Sequence, residues 1–249
     1  MKYIAIIPAR YASTRFPGKP LARLGGKSVI RRVYEQARKV LDDVVVATDD
    51  ERIMVEVNSF GGRAVMTSVN HKSGTDRCWE AYQKSGVTAD VVINIQGDEP
   101  FIQPEQIKGL MECFNDEGTD IATMLKPYDE GTSYEVLADP NCVKCVKAPD
   151  GRALYFSRSV IPYLRGVDKS EWSTKRQYFK HLGIYAYRSE VLGKVTGMEQ
   201  TPMELTESLE QLRWLENGLT IKTAITNVET IGIDTPEDLA AAEEFLTRR

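Results

Sequence analysis

Short apolar runs alternate with amphipathic stretches through the first half of the chain. The runs are typical of buried strands, and the stretches carry apolar residues every three or four positions, which is the spacing of a helix with one buried face. The predicted strands are residues 3–7, 44–48, 63–66 and 90–95, and the predicted helices are residues 28–40, 49–59, 75–84 and a helix that begins at Pro104. This order predicts a parallel sheet with crossover helices.

The second half of the chain is less regular. Strands are predicted at residues 121–126, 142–147, 153–157, 179–187 and 221–226. Residues 166–175 are polar and charged, and we expect a mobile excursion there. Thr201 opens a capping box with Glu204, and the leucines that follow predict one face of a single helix: Leu205, Leu209, Leu212 and Leu215. A last helix is predicted from Thr235 to Arg249.

Composition and charge narrow the class of protein. The chain has 249 residues, of which 42% are hydrophobic and 27% charged, as in an ordinary globular domain. The net charge of −4 disfavours a nucleic-acid coat or a membrane-surface protein. The amino-terminal apolar segment is too short for a signal peptide, so we expect a cytoplasmic protein.

The cysteines indicate reduced thiols rather than a disulfide framework. Cys142 and Cys145 have the spacing of half a zinc site. A second half is missing from the sequence, and structural zinc needs four ligands. We therefore interpret residues 142–147 as a strand.

Cations are concentrated in the loop that follows the first strand. Arg10, Arg15 and Lys19 lie within ten residues, together with hydroxyl groups and a glycine. The planar guanidinium groups of arginine and the point charge of lysine suit a chain of phosphates. The carboxyl end of a first parallel strand is also where open α/β sheets bind ligands. The spacing of a Walker loop is absent. A merely solvated basic loop is the alternative, and the very apolar strand before it argues against that.

Two aspartates also follow apolar runs. Asp98 lies in the segment 96–100, and Asp234 precedes Thr235, which can itself cap the next helix. Mg²⁺ prefers one or two carboxylates together with phosphate oxygens and water. Capping a turn is an equal alternative for Asp98 alone, but the pair together with the basic loop predicts a magnesium site against a triphosphate.

Two further sets of residues are candidates for binding. Ser73, Gly74 and Thr75 could offer hydroxyl groups and close backbone approach to a base or ribose, although an ordinary helix start is the alternative. The second set lies in the irregular half: Arg158, His181, Tyr185, Glu210 and Gln211. We interpret Arg158 with His181 as partners for the carboxylate of an acidic sugar, and Glu210 with Gln211 as partners for its hydroxyls. His181 alone would be more typical of packing.

Seven segments together carry a family resemblance. They occur in family order across nearly the whole chain: residues 8–21, 73–77, 96–100, 155–158, 181–187, 207–213 and 234–238. On these segments the chain resembles the 3-deoxy-manno-octulosonate (Kdo) cytidylyltransferases.

The resemblance implies a fold, a reaction and a set of partners. The fold is α/β and nucleotide-diphospho-sugar transferase-like, a mostly parallel sheet with flanking helices and a smaller inserted lobe for sugar binding and dimerisation. The reaction is CTP + Kdo → CMP-Kdo + pyrophosphate, with Mg²⁺, in a homodimer that supplies lipopolysaccharide assembly. One domain would comprise a nucleotide part at about 1–120, a sugar part at about 121–225, and a strand and helix at 226–249 that return to the main sheet.

The resemblance also implies roles for individual residues. The nucleotide set is Pro8, Ala9, Arg10, Arg15, Lys19, Ser73, Gly74, Thr75, Gln96 and Asp98. The sugar set is Gln96, Arg158, His181, Tyr185, Glu210 and Gln211. Asp98 and Asp234 would hold magnesium, and with Arg10 and Lys19 they form the catalytic set.

Two alternatives stay open. A related cytidylyltransferase could use sialic acid or an amino analogue of Kdo instead. A non-catalytic module could bind CTP without turnover, although the presence of Asp98, Asp234 and Arg158 argues against it.

Overall fold

A computed structural model of the chain describes residues 1–228 and 231–247. Its strands are β1 (Tyr3–Ala9), β2 (Arg23–Leu24), β3 (Lys27–Ser28), β4 (Val44–Thr48), β5 (Ala64–Met66), β6 (Val91–Asn94), β7 (Ile121–Pro127), β8 (Lys144–Lys147), β9 (Ala153–Ser157), β10 (Phe179–Arg188) and β11 (Ile221–Ile225). Its α-helices are α1 (Val29–Arg38), α2 (Glu51–Ser59), α3 (Gly74–Lys84), α4 (Pro104–Glu112), α5 (Tyr134–Leu137), α6 (Trp172–Lys175), α7 (Ser189–Thr196), α8 (Pro202–Glu207), α9 (Glu210–Glu216) and α10 (Pro236–Thr247). Short 3₁₀ helices lie at Lys19–Leu21, Cys113–Asn115 and Lys169–Glu171.

The chain divides into two compact units. The first contains Met1–Lys108, Ala186–Thr196 and the described part of Thr230–Arg249. The second contains Gly109–Tyr185 and the described part of Gly197–Glu229.

A parallel sheet forms the centre of the first unit, as the sequence predicts. Strand β1 lies between β4 and β6 and is parallel to both, and β5 is parallel to β4. Ala5 is opposite Val44 on one side and Ile93 on the other, and all three side chains are buried. Because the strands are parallel, the loops after β1, β4 and β6 leave from the same edge of the sheet.

Side-chain caps begin the helices of the first unit where the sequence indicates them. The Arg31 N–H donates to Ser28 Oγ at 3.3 Å at the start of α1. At the start of α3, Ser73 and Asp76 form a reciprocal capping box, in which each side chain accepts from the backbone N–H of the other. These bonds satisfy donors that the first turn of a helix leaves without partners.

The second unit combines parallel and antiparallel pairing. Strand β11 runs parallel to β7 from Ile121 opposite Ile221 to Leu125 opposite Ile225. Strand β8 is antiparallel to both β9 and β10. Cys145 is buried within β8, so the strand interpretation of this segment is confirmed, although β8 begins at Lys144 rather than at Cys142.

Three expectations about local structure are wrong. Residues 166–175 contain a 3₁₀ helix and α6, and the buried ring of Trp172 packs with Leu137 and Tyr178 instead of lying in an irregular excursion. The single helix expected after Thr201 is broken into α8 and α9. The strand expected between residue 226 and the last helix is absent from the described residues there, 226–228 and 231–234. The end of the last predicted helix, Arg248 and Arg249, lies outside the described residues.

No helix in residues 1–228 or 231–247 is long and apolar enough to cross a membrane.

Candidate active site

A polar cavity of about 330 Å³ lies in the first unit. Its wall contains every member of the predicted nucleotide and magnesium sets except Thr75: Pro8, Ala9, Arg10, Arg15, Lys19, Ser73, Gly74, Gln96, Asp98 and Asp234. Thr75 is buried in the first turn of α3. The cavity is therefore built from the loop after β1, the start of α3, the loop after β6 and the segment before α10.

Gly97 allows the loop after β6 to approach the end of β1. A Cβ atom at Gly97 would lie 2.6 Å from the Pro8 carbonyl oxygen, which is closer than real contacts allow. The absence of a side chain therefore brings Gln96 and Asp98 beside Pro8 and Ala9.

Lys19 joins the two predicted magnesium ligands. Its Nζ donates to Asp98 Oδ2 at 2.6 Å and to Asp234 Oδ1 at 3.1 Å, and only 13% of the lysine side chain is exposed. Two aspartates far apart in sequence thus place their like-charged carboxylates beside the same ammonium group. The ammonium group compensates their repulsion, since a lysine is a compact point charge.

The two arginines of the same loop are more exposed. Arg15 Nη2 lies 3.1 Å from Asp234 Oδ2, and 66% of the arginine side chain is exposed. Arg10 is exposed on the cavity wall and forms no ion pair with any described residue. Its guanidinium is therefore available to an anion that enters the cavity.

Tyr11 and Arg52 fix the shape of this cationic loop. The Tyr11 carbonyl accepts from the Ser13 N–H at 3.0 Å and from the Gly18 N–H at 2.9 Å, which closes the loop on itself. Arg52 Cζ lies 3.3 Å from the centre of the Tyr11 ring, a cation–π contact. Gly18 has a φ of 73°, a left-handed conformation that favours glycine.

Arg77 also lines the cavity, although it is not among the site residues predicted from the sequence. It is buried in α3 and donates to Asp49 Oδ2 at 2.7 Å and to Thr67 Oγ1 at 2.6 Å. The network connects the start of α3 to the ends of β4 and β5. A cation in the first turn of a helix is unfavourable toward the helix dipole, and this signal could have indicated a carboxylate partner.

The carboxylates of the cavity fit a magnesium ion. In the described residues no group of three or more histidine, cysteine, aspartate or glutamate side chains is arranged to hold a metal. Asp98 and Asp234 provide two carboxylates that share one ammonium group. Two carboxylates completed by phosphate oxygens and water are a donor set that Mg²⁺ uses and that a structural zinc site does not.

Arg158, of the predicted sugar set, lies in the second unit directly after β9. Its Nε donates to the Glu207 carbonyl at 2.7 Å, its Nη1 to the Pro140 carbonyl at 2.9 Å and its Nη2 to the Ser208 carbonyl at 3.3 Å. Carbonyl oxygens hold the guanidinium without neutralising its charge. Its other two N–H groups donate to no residue that the structure describes, which suits the bidentate binding of a carboxylate.

Lys144 supports Arg158 and was not assigned from the sequence. The side chain is fully buried, and its Nζ donates to the carbonyls of Asp139 and Cys142 at 2.9 and 2.6 Å and also to the carbonyl of Arg158. Burial lowers the pKa of Lys144 from its usual 10.5. A fully buried lysine held by three carbonyls fixes the backbone that carries Arg158.

The other members of the sugar set lie on β10 and α9. The Tyr185 ring contacts the rings of His181 and Trp214, with centroids 5.4 and 5.0 Å away, and burial raises the pKa of Tyr185 well above 10. Glu210 Oε1 accepts from Arg213 Nη2 at 2.9 Å, and Gln211 beside it is buried. The second unit thus contains all the predicted sugar residues except Gln96, which lies in the first.

Comparison with known proteins identifies the family. The family model described as "Cytidylyltransferase" matches residues 4–223. The chain belongs to the cytidylyltransferase family. Within this family it is 60% identical over 249 residues to a protein of Bacteroides thetaiotaomicron named 3-deoxy-manno-octulosonate cytidylyltransferase, with 100% of both chains covered. A protein of the same name from Porphyromonas gingivalis is 55% identical, with 98% of this chain and 96% of that protein covered. The family resemblance of the sequence is therefore confirmed.

Solved structures agree with this membership. A structure described as CMP:2-keto-3-deoxy-manno-octonic acid synthetase complexed with CTP superposes with a TM-score of 0.91 at 42% identity, covering 100% of this chain and 99% of that chain. A 4-diphosphocytidyl-2C-methyl-D-erythritol synthase from Anaerococcus prevotii superposes with a TM-score of 0.65 at 13% identity, covering 99% of both chains. The second likeness shows the fold alone. The expected α/β fold class and the assignment as a nucleotidyltransferase are confirmed.

Proposed function

We propose that this chain transfers CMP from CTP to Kdo and forms CMP-Kdo and pyrophosphate for lipopolysaccharide assembly. The observation that carries the proposal is the cationic cavity of the first unit, in which Lys19 and two carboxylates meet at one point. Full-length relatives that bear the name of this enzyme at 60% identity support the same reaction.

The reaction joins the anomeric hydroxyl oxygen of the sugar to the α-phosphorus of CTP. The bond between that phosphorus and the bridging oxygen breaks, pyrophosphate leaves, and the hydroxyl proton is released. Arg10, Arg15 and Lys19 compensate the charge of the triphosphate, and the start of α3 lies beside the nucleoside. Catalysis by such a cavity rests on positioning and charge stabilisation and needs no covalent intermediate.

We place Mg²⁺ on Asp98 and Asp234. When bound, the ion neutralises phosphate charge and lowers the pKa of a coordinated hydroxyl group. Lys19 bridges the two carboxylates. The same ammonium group can exchange a carboxylate oxygen for a phosphate oxygen when the nucleotide enters.

We place the sugar acid on the second unit. The two remaining N–H groups of Arg158 suit its carboxylate, because the three carbonyls around the guanidinium fix the orientation of the fork. Glu210 and Gln211 suit its hydroxyl groups. Gln96, which the resemblance also assigns to the sugar, lines the cavity of the first unit.

The test is release of pyrophosphate by the purified protein. We expect turnover with CTP and Kdo, and much less with other nucleotides, with sialic acid or with an amino analogue of Kdo. We expect Asp98→Asn and Asp234→Asn each to lower kcat by about 100-fold or more at saturating magnesium. Asp116→Asn, which removes a carboxylate paired with Lys222 in the second unit, is the matched control and keeps its rate.

Two other outcomes would each contradict one part of the proposal. Binding of CTP without pyrophosphate release for any sugar acid would indicate a nucleotide sensor. Near-normal turnover of either asparagine variant would refute the assignment of that aspartate.

The homodimer and the cytoplasmic location stay predictions. The second unit exposes large apolar side chains on which a second copy could pack, among them Tyr163 at 73% and Leu154 at 57%. Sedimentation equilibrium of the purified protein tests the dimer.

A further inference from the structure

A chain of hydrogen bonds connects Thr123 and His181 inside the second unit. Thr123 lies on β7, and its Oγ1 donates to the Ile184 carbonyl oxygen at 2.8 Å. The same Oγ1 lies 2.9 Å from His181 Nε2. A threonine hydroxyl has one hydrogen. If that hydrogen pointed to His181, two acceptor oxygens would face each other at 2.8 Å without a hydrogen between them. Oγ1 therefore accepts from His181, and Nε2 carries a hydrogen.

The His181 ring is neutral. It packs edge-on against Phe156, with centroids 4.9 Å apart, and against Tyr185. This apolar environment lowers the pKa of His181 from 6.5 to about 3. A neutral imidazole has one N–H, and Thr123 places it on Nε2. Nδ1 is consequently an acceptor.

The Nδ1 atom of His181 has no hydrogen-bond partner in the described part of the chain. No described residue donates to it. Nδ1 is not fully buried, and the His181 residue as a whole is half-buried. The lone pair of Nδ1 is therefore accessible to a donor from outside the chain.

We propose that Thr123 is a positioning residue that fixes His181 as the Nε2–H tautomer, so that Nδ1 accepts a hydrogen bond from a hydroxyl group of the sugar acid. The inference rests on the proposed function and deepens it. It replaces the expectation that His181 joins Arg158 in binding the carboxylate. An ionised carboxylate has no hydrogen to donate and would repel the Nδ1 lone pair, whereas Arg158 still offers two N–H groups.

The tautomer can be measured without any substrate. Nitrogen-15 NMR of the ligand-free protein at neutral pH should show His181 with a protonated Nε2 and an unprotonated Nδ1. The chain has only two histidines, so His181→Asn identifies the signals of His181 by their loss. A protonated Nδ1, or a ring protonated at both nitrogens, overturns the inference whether or not the protein uses Kdo.

A pair of threonine variants tests the positioning role. Thr123→Val keeps the shape and removes the hydroxyl, and Thr123→Ser keeps the hydroxyl. We expect the valine variant to raise KM for Kdo roughly tenfold, the loss of about one hydrogen bond, with KM for CTP unchanged. The serine variant should behave as the wild type. Equal KM values for Kdo in both variants would overturn the role of Thr123. Failure of the wild type to release pyrophosphate would instead refute the proposed function.

Two amide variants test the acceptor itself. The side-chain amide of asparagine occupies the position of Nδ1, and that of glutamine reaches the position of Nε2. We expect His181→Asn to keep a lower KM for Kdo than His181→Gln, because only asparagine can present an oxygen where Nδ1 accepts. The opposite order would overturn the inference.

Discussion

Single charged residues outside the cavity fix the loops that form its wall. Glu80 on α3 accepts from the Ser68 N–H at 2.8 Å, from Lys84 Nζ at 2.6 Å and from His71 Nε2. Desolvation raises the pKa of this carboxyl, but the hydrogen bonds outweigh it and lower the pKa from 4.5 to about 2. An ionised Glu80 thus holds the loop that carries His71 and Lys72 to the cavity.

We expect Glu80→Gln to destabilise the protein in a pH-dependent way. Because the folded pKa is depressed, the carboxylate stabilises the fold fully above pH 4.5 and loses this contribution as pH falls toward 2. Urea unfolding should give a difference from the wild type of about 1 kcal/mol at pH 7, after solvent screening, and the difference should shrink on acidification. Glu130→Gln, at an exposed glutamate that forms no ion pair with any described residue, is the control. A difference independent of pH would contradict this account.

Among the secondary-structure elements, the break between α8 and α9 shows that the local hydrophobic pattern is not sufficient to predict where a helix ends. Leucine spacing after Thr201 predicts one helix, but Ser208 has a φ of 52° and ends α8. The cause comes from far along the chain, because Arg158 takes the carbonyls of Glu207 and Ser208 as acceptors. The Glu207 carboxylate also accepts from Ser157 Oγ and from the Arg158 N–H. Leu205, predicted to share one helix face with Leu209 and Leu212, is consequently 61% exposed, whereas those two leucines are buried.

Ser208→Gly should stabilise the protein. Serine in a left-handed conformation is strained, and glycine adopts it freely, so we expect a gain of about 0.5 kcal/mol in the free energy of unfolding after the entropy of the unfolded glycine is subtracted. Ser208→Ala keeps the strain and is the matched control, with no gain. Chemical denaturation of both variants measures the difference. A glycine variant no more stable than the alanine variant would show that Ser208 is not strained.

The difference between local sequence pattern and long-range contact also explains which site residues could be predicted from the sequence. Arg10, Lys19 and Asp98 follow strands in sequence, so the strand pattern alone places them at the edge where a parallel sheet binds ligands. Arg77, Lys144 and Thr123 act through contacts with residues distant in sequence. Nothing in the local sequence of Lys144 or Thr123 distinguishes them from ordinary strand positions, and for Arg77 the one local signal is its positive charge in the first turn of α3.

At the scale of the whole chain, long-range contacts decide which segment belongs to which unit. Residues 186–196 return to the first unit. There α7 packs closely on α3, since a Cβ atom at Gly193 would lie 2.8 Å from the Trp79 ring. All candidate nucleotide residues then fall in the first unit and all candidate sugar residues except Gln96 in the second. This division predicts that binding of the two substrates can be weakened separately.

Arg158→Lys should weaken only the use of the sugar acid. Lysine keeps the charge but cannot reach three carbonyls and still present a planar fork, so we expect kcat/KM for Kdo to fall by about 100-fold while calorimetry gives an unchanged Kd for CTP. Arg152→Lys, at an exposed arginine one residue before β9 that pairs with Asp150, is the matched control and should change neither quantity. If Arg158→Lys weakened CTP binding as much as the use of Kdo, the assignment of Arg158 to the sugar acid would be wrong. A fall in CTP affinity alone would place the arginine on the nucleotide instead, because the three carbonyls that hold it would then orient it toward a phosphate.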